Sequence, residues 1–171
     1  MSVNVVDSTS VRLAERRLRE KGLLDEIQWL PEIWARDGLK KEGKIDLLRE
    51  NGAENWILED EKLEIQMDLG PKELPRKKRL TPQFDAYNRD ARIVVEHEDI
   101  EQMRARWHLL KMDIAYRNSE LLPVDIAVLL MESSEGNPTL DRTHRELHGP
   151  VFNEYLPLKV PVYALEYSTE K

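Results

Sequence analysis

Residues 83–98, QFDAYNRDARIVVEHE, predict two short strands joined by a polar turn. If Asp90 and Ala91 form the turn, Asp85 faces Glu96 across the hairpin, where paired side chains lie about 4.5–5.5 Å apart. The register of this hairpin therefore decides which acids of the segment meet.

The second strand of the hairpin carries acids on one face only. Side chains alternate along a strand, so Glu98 shares a face with Glu96, whereas His97 points to the other face. Ile93 and Val95 draw that other face into the core. Three carboxylates at one strand end repel one another unless a cation lies among them. A hard divalent cation with oxygen ligands, such as Mg²⁺, can relieve this repulsion. Mg²⁺ held by carboxylates is commonly used in phosphodiester hydrolysis.

Composition places the chain among soluble globular domains. It has 171 residues, of which 40% are hydrophobic and 35% charged, and a net charge of −7. The negative charge argues against a general nucleic-acid coat protein and a polybasic membrane binder, but not against a local basic patch. Cysteine is absent, which excludes disulfides and thiolate sites and is compatible with a reducing cytoplasm. We expect no signal peptide in residues 1–10 and no membrane span, because no apolar run approaches about 18 residues.

The first half of the chain reads as mainly helical. Ser10 is predicted to cap a first helix that stops near Gly22, and residues 39–51 form a second helix. Residues 63–69 alternate apolar and polar side chains as a strand does, and a proline-rich connector, residues 71–82, follows.

The second half continues with a helix, a strand, a helix and a strand. Residues 99–118 predict a helix whose buried stripe contains Ile100, Met103, Trp107, Leu110 and Ile114. Residues 124–131 predict a central strand covered on both faces, and residues 139–148 a short polar helix. Residues 158–167 predict a last strand that is either at a sheet edge or irregular, because Pro157 and Pro161 cannot donate hydrogen bonds within a sheet.

This order of elements predicts the α/β class, with a mixed central β-sheet flanked by helices. The strand–helix–strand unit at residues 92–131 implies parallel pairing. We expect a single domain over residues 1–171, made of an N-terminal helical part (1–60) and a core carrying the acids (61–171).

An aspartate, a short turn, an apolar strand ending in Glu-x-(Lys, Gln or Glu), a helix and another apolar strand together resemble the PD-(D/E)XK nucleases. Within that superfamily, residues 83–167 look most like type II restriction endonucleases of the BamHI/BglII/BstYI type. The resemblance implies a restriction-endonuclease-like fold, hydrolysis of double-stranded DNA, and a homodimer in the cytoplasm of a prokaryote or encoded by a phage. It also implies Asp85 and Glu96 as Mg²⁺ ligands, with residues 61–171 as the catalytic core.

The third catalytic position departs from the commonest pattern. Glu98 stands where most members carry a lysine, although BamHI-type enzymes carry a glutamate there. A carboxylate at this position can orient the attacking water or take its proton. No proline directly precedes Asp85, and the connection to Glu96 is slightly long, so Asp90 remains a substitute ligand.

Other charged groups have two interpretations. The basic run Arg76, Lys77, Lys78 and Arg79 is either an arm that contacts DNA phosphates or a solvated connector. His144 and His148, four residues apart, could bind a metal on one helical face, but no third ligand is evident and surface histidines are the simpler interpretation. Glu50 could be an accessory acid. Solvated surface is expected for Arg104, Arg106, Lys111 and Arg117, a structural role for His97, and core positions for Trp29, Trp34, Trp56 and Trp107.

Acidic residues are common in this chain, so a solvated acidic hairpin end competes with the metal site. Two other classes of protein therefore stay open beside the endonuclease. One is a non-catalytic DNA-binding or regulatory protein that retains the nuclease fold. The other is a small α/β interaction module whose hairpin acids have no chemical role.

Overall fold

A mixed sheet of six strands organises the chain. The computed structural model describes residues 3–35, 39–58, 83–98, 105–120, 122–133 and 139–169. Its strands are β1 (Val3–Val11), β2 (Trp56–Leu58), β3 (Ala86–Asn88), β4 (Ile93–Glu98), β5 (Ile126–Glu132) and β6 (Val162–Thr169). Its helices are α1 (Ala14–Glu20), α2 (Leu24–Trp29), α3 (Glu32–Ala35), α4 (Lys41–Glu50), α5 (Ala105–Arg117) and α6 (Thr139–His148), followed by a π-helical turn (Val151–Tyr155).

The strand order is β1-β6-β5-β4-β3-β2. The three central strands β4, β5 and β6 are parallel, whereas β1, β3 and β2 pair antiparallel with their neighbours. The parallel pairing of β4 with β5 around α5 was predicted from the strand–helix–strand pattern, and the α/β class with a mixed sheet is confirmed.

Helices cover both faces of the sheet, because the central strands are apolar on both sides. Ile93 and Val95 of β4 pack with the helices α1 to α4, and Val94 packs with Leu109 and Met112 of α5. Residues Ile126 to Met131 of β5 are buried, so the prediction of a central strand covered on both faces is confirmed.

The N-terminal part contains helices α1 to α4, as expected, and two strands that the sequence pattern did not predict. Ser10 lies in β1, so the prediction that it caps a helix is wrong; α1 begins at Ala14. β1 pairs with β6 from Val3 to Val11. This pairing also places β6 inside the sheet, so the edge position, one of the two predicted alternatives, is wrong. Pro157 and Pro161 precede the strand and cost it no hydrogen bond.

Two other helices match their predicted positions. α4 ends at Glu50, and Gly52 follows with a φ of 68°, a left-handed conformation that glycine adopts without strain. α6 spans Thr139–His148 as predicted.

Helix α5 buries a different face from the one predicted. Trp107 is 42% exposed, and Leu110 and Ile114 are half-buried, so the prediction of a core position for Trp107 is wrong. Lys111, expected on the surface, is 7% exposed. The face that packs on the sheet contains Ala105, His108, Leu109, Lys111, Met112 and Ala115.

Several predicted features lie outside the described residues: the strand at 63–69, the connector at 71–82 with Arg76, Lys77, Lys78 and Arg79, and the helix start at 99–104. Among the helices of the described ranges, none combines the length and the apolar character that crossing a membrane requires.

Candidate functional site

The hairpin β3–β4 has the register that the sequence predicted. Ala86 pairs with Val95, and the turn centres on residues 90–91. The Asp85 N–H donates to the Val95 carbonyl at 3.0 Å, a bond that is one residue out of this register. The regular pairing of the hairpin therefore ends at Ala86.

Two acids and two cations are buried together between β4 and α5. Lys111 Nζ lies 2.5 Å from Glu96 Oε1, and His108 Nδ1 lies 2.8 Å from Glu96 Oε2. His108 Nε2 lies 3.0 Å from Glu98 Oε1. All four residues are at most 7% exposed. We call Glu96, Glu98, His108 and Lys111 the acid–cation cluster.

Elementary geometry explains how the cluster forms. Glu96 and Glu98 share the face of β4 that meets α5, because side chains alternate along a strand. His108 and Lys111 are three residues apart and therefore neighbours on one face of the helix. Asp85 is tied to the same strand end, since its Oδ2 accepts the His97 backbone N–H at 2.6 Å.

Lys111 also fixes the segment that leads into β3. Its ammonium group donates to the Gln83 carbonyl at 2.6 Å and lies 5.2 Å from the centroid of the Phe84 ring. One buried lysine thus joins α5, the end of β4 and the approach to Asp85.

The contacts around Glu96 are short ion pairs more than well-aligned hydrogen bonds. Glu96 Oε1 and His108 Nδ1 lie at ion-pair distances from partners within the described residues, but neither makes a hydrogen bond of acceptable angle there. A buried charge without well-aligned hydrogen bonds is costly. Glu96 Oε1 is therefore an oxygen that a better-placed cation would stabilise.

The pKa of His108 is raised above its ordinary value. Burial alone lowers the pKa of the imidazole, and contacts with Glu96 and then with Glu98 outweigh burial, while the nearby charge of Lys111 opposes them. The protonated form of His108 is therefore more favoured than that of an ordinary histidine, and its two ring nitrogens lie against the two carboxylates of the cluster.

The two basic residues of the acid–cation cluster affect the Mg²⁺ site that the sequence predicted. The repulsion among the acids is relieved here by His108 and Lys111. Across the described ranges, no group of three or more histidine, aspartate or glutamate side chains is arranged to hold a metal ion. The donor chemistry still fits Mg²⁺, because Glu96 and Glu98 offer hard oxygens and Glu96 Oε1 lacks a good hydrogen bond. Binding of a metal to Glu96 would require this acid to exchange its contacts with His108 and Lys111 for the metal.

The remaining candidate residues lie elsewhere. Asp90 is exposed in the turn, about five residues of strand from Asp85, or about 16 Å at 3.3 Å per residue. Glu50 is exposed at the end of α4. His97 lies on the opposite face of β4, stacked on Trp34 with ring centroids 5.0 Å apart, in accord with a structural role.

Sequence reasoning missed His108 and Lys111. Apolar periodicity assigned Lys111 to the solvent side of the helix and gave His108 no role, because a stripe of larger apolar residues runs along a neighbouring face. One feature of the sequence indicates their burial. Together with Leu109, Met112 and Ala115, these two residues form one continuous face of the helix.

No protein-family model matches this chain, and no curated protein matches it. The chemistry of the acid–cation cluster and of Asp85 is therefore the basis for a functional conclusion.

Proposed function

We propose that this protein is a Mg²⁺-dependent endonuclease that hydrolyses phosphodiester bonds of double-stranded DNA, similar to type II restriction endonucleases of the PD-(D/E)XK superfamily. One observation supports the proposal: at the end of β4, Glu96 and Glu98 are buried with Lys111, and the Asp85 carboxylate accepts the His97 N–H of the same strand at 2.6 Å.

In this proposal Asp85 and Glu96 hold the metal. Bound Mg²⁺ polarises a phosphate oxygen and lowers the pKa of a coordinated water. Asp85 is oriented by the His97 N–H, and Glu96 by its contact with Lys111. The carboxylates therefore occupy fixed positions before a metal arrives.

Lys111 supplies the positive charge that Glu98 cannot. Most PD-(D/E)XK enzymes place a lysine at the position of Glu98, where its charge acts on the phosphate. Here an ammonium group from α5 lies 2.5 Å from Glu96. Preorganised charge of this kind stabilises the charge that develops on a phosphoryl group. Glu98, held by His108 at 3.0 Å, orients the attacking water or takes its proton.

The partners proposed are double-stranded DNA and a second copy of the chain. Arg76, Lys77, Lys78 and Arg79 would contact DNA phosphates near the hairpin.

Cleavage of both strands of a palindrome requires two sites related by two-fold symmetry. Helix α5 offers an apolar contact for a dimer, since Trp107 is 42% exposed and Leu110 and Ile114 lie on the same side of the helix. Sedimentation of the wild type and of Trp107→Lys tests this contact. A wild type that sediments as a monomer would contradict it. The proposed setting is the cytoplasm of a prokaryote or a phage-infected cell.

A second candidate function is a non-catalytic DNA-binding or regulatory protein that retains the nuclease fold. The observation that favours it is the internal pairing of Glu96 and Glu98 with His108 and Lys111. A cluster whose charges are balanced within the chain is stable without a metal. An α/β interaction module without DNA binding is the third candidate.

The test is cleavage of a phage genomic DNA, which samples most short recognition sequences, by purified protein with Mg²⁺. We expect cleavage that excess EDTA abolishes and that Glu96→Ala reduces by about 10²–10³-fold, the loss typical of one preorganised electrostatic group. Circular dichroism of the variant separates lost activity from lost folding.

The other outcomes distinguish the alternatives. Binding of DNA without cleavage supports the regulatory protein, and neither binding nor cleavage supports the interaction module. Undiminished cleavage in excess EDTA would contradict the role of Mg²⁺.

A further inference from the structure

Two histidines of α6 face a threonine from the opposite end of the chain. His144 and His148 are four residues apart on one side of the helix, and their ring centroids lie 4.3 Å apart with planes inclined by 36°. Thr9 belongs to β1, an edge strand of the sheet. The fold therefore supplies the third polar group that the sequence alone did not reveal.

The two imidazoles converge on one oxygen atom. Thr9 Oγ1 lies 2.8 Å from His144 Nδ1 and 3.3 Å from His148 Nε2. A hydroxyl has a single proton, so it can donate to only one of the two nitrogens. The second nitrogen must either carry a proton of its own or leave its lone pair directed at the same point.

The surroundings of His148 favour its unprotonated ring, the form that binds metals. Burial, and then the charge of His144, lower the pKa of His148 below its ordinary value. His148 also lines an open groove of 520 Å³ between the β1–α1 turn and the π-helical turn. The groove leaves room for water molecules to complete a coordination shell.

We propose that His144, His148 and Thr9 form a site for a transition-metal ion of the zinc class. The two imidazole nitrogens are the principal ligands, at the usual Zn–N distances of about 2.0–2.1 Å. The Thr9 hydroxyl or a water and one further water complete a tetrahedral shell. Imidazole ligands suit Zn²⁺, Ni²⁺ and Cu²⁺, whereas Mg²⁺ prefers carboxylates.

A metal bound here joins α6 to β1. Its structural effect is to tie the N-terminal strand to the C-terminal half of the chain, so it stabilises the folded state by mass action. The site shares no residue with the acid–cation cluster, and the inference stands whether or not the chain cleaves DNA.

The test is calorimetric titration of the full chain with Zn²⁺ at neutral pH without Mg²⁺, paired with the absorption spectrum of the Co²⁺ form. We expect one ion per chain, a tetrahedral Co²⁺ spectrum and a melting temperature that rises with zinc concentration. Alanine at both histidines should weaken binding by at least about 10–100-fold, the loss found even for residues that merely support a metal ligand.

Matched variants keep the result specific. Arg145→Ala alters the exposed surface of the same helix between the two histidines and should bind Zn²⁺ as wild type does. Thr9→Val should weaken binding less than loss of either histidine. No binding by wild type, or undiminished binding by the double histidine variant, would overturn the proposal.

Discussion

The two faces of β4 are built from different chemistry. On the face toward α5, Glu96 and Glu98 meet His108 and Lys111 in a buried set of charges. On the face toward α3, His97 stacks on Trp34 with nearly parallel rings, 5° apart, and its Nε2 lies 2.5 Å from the Tyr167 hydroxyl.

The difference separates two causes. Side-chain alternation along the strand determines which residues share a face, and the element packed on that face determines what those residues contact. Alternation separates the acids from His97, and it follows from the sequence. The partner helix decides whether an acid meets water, a metal or a buried cation. Because His108 and Lys111 of α5 point toward the sheet, the face of β4 toward α5 carries buried charged groups, and the face toward α3 carries stacked aromatic rings.

Lys111→Met should give the largest loss of stability. It removes the cation nearest Glu96 and leaves a buried carboxylate without that partner, which costs about 3–5 kcal/mol. Urea unfolding followed by circular dichroism measures the change in the free energy of unfolding.

The double variant Glu96→Gln/Lys111→Met is the control, since it removes both charges at once. It should be more stable than Lys111→Met alone, because replacing both members of a buried ion pair is far less costly than removing one. A cost below about 1 kcal/mol for Lys111→Met, within the range of exposed ion pairs, would refute the burial of this pair.

His97→Leu tests the opposite face and should cost less. It removes the stack on Trp34 and the hydrogen bond to Tyr167, each worth about 0.5–1.5 kcal/mol. The same unfolding experiment applies. If this variant lost as much stability as Lys111→Met, the two faces would not differ as described.

The pH dependence of stability should show the smallest effect and a definite sign. The raised pKa of His108 means that its stabilising contribution is complete below the unfolded value of about 6.5 and is lost as pH rises through the folded pKa. His108→Gln should therefore lose most relative to wild type at acidic pH, and this difference should shrink toward alkaline pH.

His148 is the matched control, because its pKa is lowered. Its contribution is present above about pH 6.5 and is lost as pH falls through the folded pKa. Thermal melts of His108→Gln and His148→Gln from acidic to alkaline pH should show opposite trends. Parallel trends would contradict the assigned environments.

The sequence predicted the parts of this molecule that depend on local pattern. The hairpin register, the central strand β5 and the helices α4 and α6 follow from alternation, apolar runs, and glycine or proline stops. It failed where long-range pairing decides: β1 lacks strong strand periodicity and gains its partner, β6, from the other end of the chain.

The site divides in the same way. Asp85, Glu96 and Glu98 were predicted from their spacing; the hairpin register is confirmed from Ala86 to Asn88, and the pairing of Asp85 with Glu96 stays a prediction. Lys111 and His108 could not be predicted from apolar periodicity, since a polar residue on a helix is assigned to solvent unless its partner is known. Thr9 could not be linked to His144 and His148 because 135 residues separate it from the nearer histidine along the chain.

The most direct test of the proposed site is the rate of DNA cleavage as a function of Mg²⁺ concentration for wild type, Asp85→Asn and Asp90→Asn. Asp85 is partly buried and joined to the end of β4 through the His97 N–H, whereas Asp90 is exposed in the turn of the same hairpin. We predict that Asp85→Asn abolishes cleavage or raises the Mg²⁺ requirement by about 10–100-fold, as loss of a metal-site group does, and that Asp90→Asn behaves as wild type. Equal rates for the two variants, or no Mg²⁺-dependent cleavage by wild type, would contradict the proposed site.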